Sequence, residues 1–202
     1  MPDDCVDDHE NRDIYQYPWE TSVMPRLFVA IELPESIKEG LNGLCSYGIQ
    51  GVNWVNPNQF HLSLRFIGEV DQGTFDNIAD TLIKIKGKPF MLSLTGVGTF
   101  PQGKSPKVIW AGVTKNEQLI HLQKKVETRL NQIGIQKEKK RFSPHITLAR
   151  VKGKLPGRIG DFLGYHSLYH SGEFEVDSFH LFSSVLNPKG AIYRKEREYP
   201  LI

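Results

Sequence analysis

Two cysteines, Cys5 and Cys45, are all that the 202 residues contain. That count builds no disulfide framework and no paired-cysteine metal or redox motif, and it fits a reducing compartment, the cytoplasm. No stretch approaches the roughly 20 consecutive apolar residues that cross a bilayer. The N-terminus is acidic rather than basic-then-apolar, so no secretory signal is read there. Also missing are His-Glu-x-x-His, a Gly-Lys-Ser/Thr phosphate loop and any cluster of three His, Asp or Glu at ligand spacing. Those absences leave no sequence basis for zinc-hydrolase or P-loop chemistry, and no cofactor is expected.

What is present is the composition of an ordinary globular chain. Hydrophobic residues make up 39% and charged residues 24%, enough to bury a core in one domain, or in one domain of two lobes. The formal charge of +2 hides an asymmetry. Residues 1–13 carry six acids and a single base, Arg12. The remainder holds 24 basic and 17 acidic residues. Much of the surplus lies between Lys137 and Arg158, where eight bases face one acid, Glu138. Such a cluster gathers anions, nucleic acid included, although a solvated basic face explains it equally well.

Residues 1–23 read as an acidic, disordered tail, with 24–202 as the folded unit. Within that unit, strands and helices alternate. Arg26–Leu33 is an apolar, β-branched strand, and Pro34 opens a helix to about Tyr47. Phe60–Phe66 is a strand. Asp71 begins a helix to about Lys86, with Phe75, Ile78, Ala79, Leu82 and Ile85 on one face. "PFMLSLTGV" and "KVIWAGV" are strands around a Gly/Pro-rich loop. Asn116–Ile133 is a helix that turns Leu119, Leu122, Val126, Leu130 and Ile133 inward and is capped by Gly134. Pro144–Val151 is a strand, and a short helix follows in "GRIGDFLGYHSL". "EFEVDSFHLFSSVL" and "AIYRKEREYPL" are the last strands, joined by a turn at Asn187–Gly190. The pattern is α+β.

One pattern occurs twice. The chain reads His61-Leu62-Ser63-Leu64, and later His145-Ile146-Thr147-Leu148. Strand side chains alternate faces, so Leu62 and Leu64 enter a core while His61, Ser63 and Arg65 face out. Ile146 and Leu148 likewise separate from His145 and Thr147. Residues two apart on a strand stand about 6.5–7 Å apart, so an imidazole and a hydroxyl can both reach one phosphate. One imidazole can accept a proton while its partner donates. A single copy of the tetrad arises easily by chance; two copies on two strands, with the hydroxyl at the same offset, do not. Strict alternation puts Phe66 on the core face and Arg150 opposite His145. The remaining histidines carry bland readings. His9 lies in the tail, His121 on a solvated helix face and His166 and His170 in a loop-like region, while His180 is a structural residue.

These residues resemble the 2H phosphoesterase superfamily, and within it the RNA 2′,3′-cyclic phosphodiesterases also described as 2′-5′ RNA ligases. The resemblance runs from about Met24 to Ile202. It is carried by "RLFVAIELP", "HLSLRFIGEV", "VIWAGV", "FSPHITLAR" and "YRKEREYPL" in that order. Ser63 departs from the threonine usual in the family but keeps the hydroxyl. The resemblance implies a bilobal fold: two pseudo-symmetric antiparallel sheets with outer helices and a central cleft between the tetrads. It implies metal-independent hydrolysis of RNA 2′,3′-cyclic phosphate ends to 2′-phosphates. A pseudo-symmetric cleft needs no second chain, so a monomer is expected, and the lack of a long apolar run leaves no membrane partner expected. His61 would be the proton donor and His145 the proton acceptor. Ser63 and Thr147 would bind phosphate, with Arg141 and Arg150 as further substrate-binding candidates. Ligation or cleavage of 2′-5′ linkages on the same site, and RNA-end binding without turnover, are the alternatives.

Overall fold

The structure is a computed structural model that describes residues 26–45, 48–102, 105–152, 158–187 and 190–202. The expected tail, and Pro188 and Lys189 of the expected turn, lie outside the described residues.

Arg26–Glu32 forms strand β1, whose five inner residues are all buried, as its unbroken apolar run requires. Helix α1, Glu35–Cys45, follows Pro34, whose carbonyl accepts from the Ile37 and Lys38 N–H groups. A short strand β2, Val52–Trp54, and a single 3₁₀ turn, Pro57–Gln59, lead into β3, His61–Glu69. Neither short element was expected, because three residues are too few to show a period.

Helix α2, Gln72–Leu82, begins where the Asp71 carboxylate accepts from the Thr74 N–H at 2.8 Å. Strands β4, Phe90–Leu92, β5, Leu94–Phe100, and β6, Val108–Val113, come next. Asn116 caps helix α3, Glu117–Gln132, by accepting from the Leu119 N–H at 2.9 Å. Leu119, Leu122, Val126 and Leu130 are buried as expected, whereas Ile133 sits past the last turn and is exposed. Gly134 ends the helix at φ 91°, the left-handed conformation a C-terminal cap needs. Strand β7, His145–Val151, helix α4, Ile159–Tyr165, and strands β8, Phe174–Val176, β9, Ser178–Asn187, and β10, Gly190–Pro200, complete the chain.

The strands join in the order β10-β9-β1-β3-β7-β6-β5, with β2 on β7, and β4 and β8 form a separate ribbon. Every pairing is antiparallel. Where two sheets were expected, the main path is continuous, yet β3 and β7 meet at one register pair alone, Leu62 with Ile146. Leu27, Val29, Leu62, Leu64, Ile146 and Leu148 share a core with Phe75, Ile78, Leu82 and the inner face of α3. Each such side chain contributes about 1.5–3 kcal/mol by leaving water. That burial commits one sheet face to the helices and leaves the opposite face for His61 and His145.

Candidate active site

Antiparallel pairing of Leu62 with Ile146 sets His61 across from Thr147 and Ser63 across from His145. The two imidazoles are therefore diagonal neighbours, with Cα atoms about 7–8 Å apart in a regular ladder. The single pair lets the strands splay on either side of it. All four side chains are half-buried.

Both imidazoles are held in the same way. His61 Nδ1 donates to the Gln59 carbonyl at 2.7 Å, and His145 Nδ1 donates to the Ser143 carbonyl at 2.7 Å. A carbonyl only accepts, so each Nδ1 keeps its hydrogen and each Nε2 is the nitrogen open to proton transfer. The 3₁₀ turn presents the Gln59 carbonyl. That turn is capped by Asn56, which accepts from the Asn58 N–H, and it is anchored by the Gln59 amide donating to Ala191 of β10. Burial lowers the pKa of His61. The Gln59 bond opposes this, while His145 and Arg150 depress it further.

Two interruptions redirect the side chains that follow the tetrads. Against β1, the β3 register advances from Ser63 to Arg65 while β1 moves one residue, leaving Leu64 as the extra position. Against β6, β7 does the same from Thr147 to Ala149 across Leu148. Each bulge thus falls on the fourth residue of its tetrad and reverses the alternation after it. Three expectations are corrected. Arg65 does not share the face of His61. It is 8% exposed, pairs with Glu127 of α3 at 2.9 Å and Glu138 at 3.5 Å, and donates to the Gln136 carbonyl. Phe66, expected in the core, is 60% exposed on the His61 face. Arg150 is exposed on the same face as His145 and close enough to act electrostatically on His61. Arg141 is exposed and makes no hydrogen bond or ion pair with the described residues of either tetrad.

Aromatic rings surround the imidazoles. Phe28 lies 4.9 Å from His61, 5.8 Å from Phe66 and 5.2 Å from Phe182, centroid to centroid. Tyr193 meets His61 edge-on at 5.3 Å, and Phe100 meets His145 edge-on at 5.0 Å. Trp110 pairs with Thr147 across β6 and β7 and packs on Phe100 at 5.2 Å. Its indole lies directly over Gly98, where any Cβ would collide with the ring. Sequence reading missed this wall. Its members come from β1, β3, β5, β6, β9 and β10, and only the pairing register brings them together.

The other histidines follow their bland readings in part. His121 is exposed on α3, and His180 is buried with Nε2 3.4 Å from Glu198. His166 follows α4, and His170 bridges to Thr95. Among the described residues, no group of three His, Cys, Asp or Glu side chains could hold a metal ion.

A helix-backed antiparallel sheet with two His–hydroxyl pairs facing each other on its open side is the arrangement of the two-histidine phosphoesterase class. The chain belongs to the 2′-5′ RNA ligase superfamily, whose sequence profile matches residues 33–187. It is 37% identical over 176 residues to the RNA 2′,3′-cyclic phosphodiesterase of Archaeoglobus fulgidus, covering 86% of this chain and 99% of the relative. The Thermotoga maritima protein of the same name is 35% identical over 84% of this chain and 91% of its own. A crystal structure of a Thermus thermophilus protein superposes with a TM-score of 0.72 at 28% identity, over 87% of this chain and 97% of that one. Escherichia coli LigT in complex with 3′-AMP has the same fold, with a TM-score of 0.73 at 23% identity over 89% and 99%.

Proposed function

We propose that this protein is an RNA 2′,3′-cyclic phosphodiesterase that opens the cyclic end to a 2′-phosphate by two-histidine acid–base catalysis. The observation that carries the reading is the matched pair of imidazoles. Both have Nδ1 tied to a carbonyl two residues back, both leave Nε2 open, and each stands across from a hydroxyl. His145 Nε2 takes a proton from water as the water oxygen bonds to phosphorus. The bond from phosphorus to O3′ breaks, and His61 Nε2 gives its proton to that oxygen. Ser63 and Thr147 donate hydrogen bonds to the non-bridging oxygens, where charge grows in the transition state. Arg150, on the same face, supplies a fixed positive charge to the phosphate. Arg141, exposed just before the second tetrad, is a further candidate for holding the RNA strand.

The exposed Phe66 ring, backed by the buried Phe28, suits a terminal base, because a base stacks on an aromatic face whatever its sequence. Relatives named RNA 2′,3′-cyclic phosphodiesterase support the substrate class. Residues 24–202 act in this reading as one bilobal domain with the cleft between pseudo-symmetric halves, and the twin bulges support that symmetry. One chain supplies the whole site, which supports a monomer. Among the described residues no helix is long and apolar enough to cross a membrane. We place the reaction in the cytoplasm.

A second reading reverses the two histidines, and the lowered pKa of His61 favours it. A group that releases its proton easily is the readier base in the empty site. A bound phosphate anion beside His61 opposes that shift and restores the donor. The two orders separate with a substrate carrying sulfur at the 3′ bridging position, since a thiolate leaves without a proton. Such a substrate rescues Ala at the donor position and not at the acceptor.

The function itself is tested with a short RNA ending in a 2′,3′-cyclic phosphate, in excess chelator, with the product's phosphate position determined. A 2′-phosphate is expected. A 3′-phosphate, or no product from this RNA alongside cleavage of a 2′-5′-linked one, contradicts the proposal.

A further inference from the structure

A cluster of positive charge that the tetrads do not use lies away from them. Two adjoining hollows of about 440 and 540 Å³ open between the end of α2 and the outer face of α3. Lys84, Lys86, Lys88, Lys124, Lys125 and Arg129 line them, and neither has an Asp or Glu in its lining. None of the six takes part in an ion pair among the described residues. The contacts found are Lys125 donating to the Lys86 carbonyl at 2.6 Å and Arg129 donating to Gln132 at 3.4 Å. Six like charges gathered with no acidic side chain among the described residues of the lining repel one another and weaken the fold. His121 is exposed, shared by both hollows, and puts a flat ring among the cations.

We infer that this groove is a second RNA-contact surface, which holds the phosphate backbone of a single strand whose end is processed at the tetrads. The choice of polyanion rests on the phosphodiesterase reading above. Cations along a concave track with an interposed ring are what a single strand needs: charge for its phosphates and a face for a base. Helices α2 and α3 cover the sheet face opposite His61 and His145. A strand must therefore pass round the molecule to engage both places. Long RNA can do so and a dinucleotide cannot. The groove thus raises affinity for RNA chains over free cyclic nucleotides without touching the reacting atoms.

The experiment uses the full chain and an RNA of about 16 nucleotides, the upper range for one single-strand-binding fold, ending in an ordinary 3′-hydroxyl so that no turnover is required. Lys84→Gln, Lys86→Gln, Lys88→Gln and Lys124→Gln are combined, because none of these side chains makes a hydrogen bond or ion pair among the described residues that the fold would lose. The variant is expected to bind this RNA about tenfold or more weakly at low salt. The slope of log affinity against log salt is expected to become shallower by up to about 3, at about 0.7 per lost contact. In the wild type, bound RNA should shield these lysines from an amine-acylating reagent, which separates local contact from a change in net charge. Turnover of a dinucleotide cyclic phosphate should be unaltered. Failure of that turnover in the wild type would defeat the functional reading alone. Unchanged RNA affinity, or lysines equally reactive with and without RNA, overturns the groove. So does shielding in RNA-free protein that disappears when Asp3, Asp4, Asp7 and Asp8 are changed to Asn, which would assign the groove to the chain's own acidic segment.

Discussion

At the scale of single residues, position on a strand matters more than residue type. Phe66 and Arg150 occupy the same place in the two repeats, five residues after the histidine, and both bulges bring them onto the imidazole face. They should fail differently. Base–ring stacking is worth about 1–3 kcal/mol, so Phe66→Ala should raise KM for a cyclic-phosphate RNA about five- to 150-fold with little change in kcat. Arg150→Ala should lower kcat, because its charge meets a phosphate whose negative charge grows in the transition state. Equal effects of both variants on KM alone would refute that division. Arg65 lies one residue before Phe66 and serves the fold. Removing it strands Glu127, and truncating one member of a buried pair costs about 3–5 kcal/mol. Arg65→Ala should show that loss in urea unfolding, and a stability within about 0.5 kcal/mol of wild type, the range of ordinary surface changes, would contradict the placement.

Among elements, helices and long strands were legible and short or bent pieces were not. The stripes of α2 and α3, their Asp71 and Asn116 caps and Gly134 are local signals, fixed by spacing within one helix. The tetrads were equally plain, since period-two alternation holds from His61 to Leu64 and from His145 to Leu148. The bulges were hidden because an extra residue is defined against a partner strand, and no partner is visible in a single sequence. That is why Arg65, Phe66 and Arg150 were placed on the wrong faces. The groove on α2 and α3 stayed hidden for a related reason: Lys84–Lys88 and Lys124–Arg129 are modest basic runs until the fold joins them. Gly98 offers an element-scale test. Gly98→Ala forces the Trp110 ring off β5, disturbing Phe100 beside His145 and Thr147 opposite the indole. Activity should fall while far-ultraviolet circular dichroism stays unchanged, and full activity in that variant would show that the aromatic wall positions nothing.

For the whole molecule, two histidines, the half-buried His61 and the buried His180, couple stability to acidity. Burial lowers the pKa of both His61 and His180, with Lys195 adding to the effect at His180 and Glu198 and Glu32 opposing it. In the unfolded chain these groups titrate near the ordinary histidine value of about 6.5. Between that value and the lowered folded ones, the unfolded state binds more protons, so stability rises with pH. It is complete above the unfolded value and is lost as pH falls through the window toward the folded pKa values. The urea midpoint should therefore drop between about pH 7.5 and pH 5, and a midpoint that rises over that span would reverse the assignment.

The proposed catalysis needs one acid and one base acting together across the β3–β7 pair. The direct measurement is the rate of opening of an RNA 2′,3′-cyclic phosphate by wild type, His61→Ala, His145→Ala and the double variant, each verified as folded. Each single change is predicted to cost about 10²–10⁴-fold, and the double change little more than the worse single one, because half of the pair cannot work alone. A folded single variant that retains near-normal rate would contradict the two-histidine mechanism.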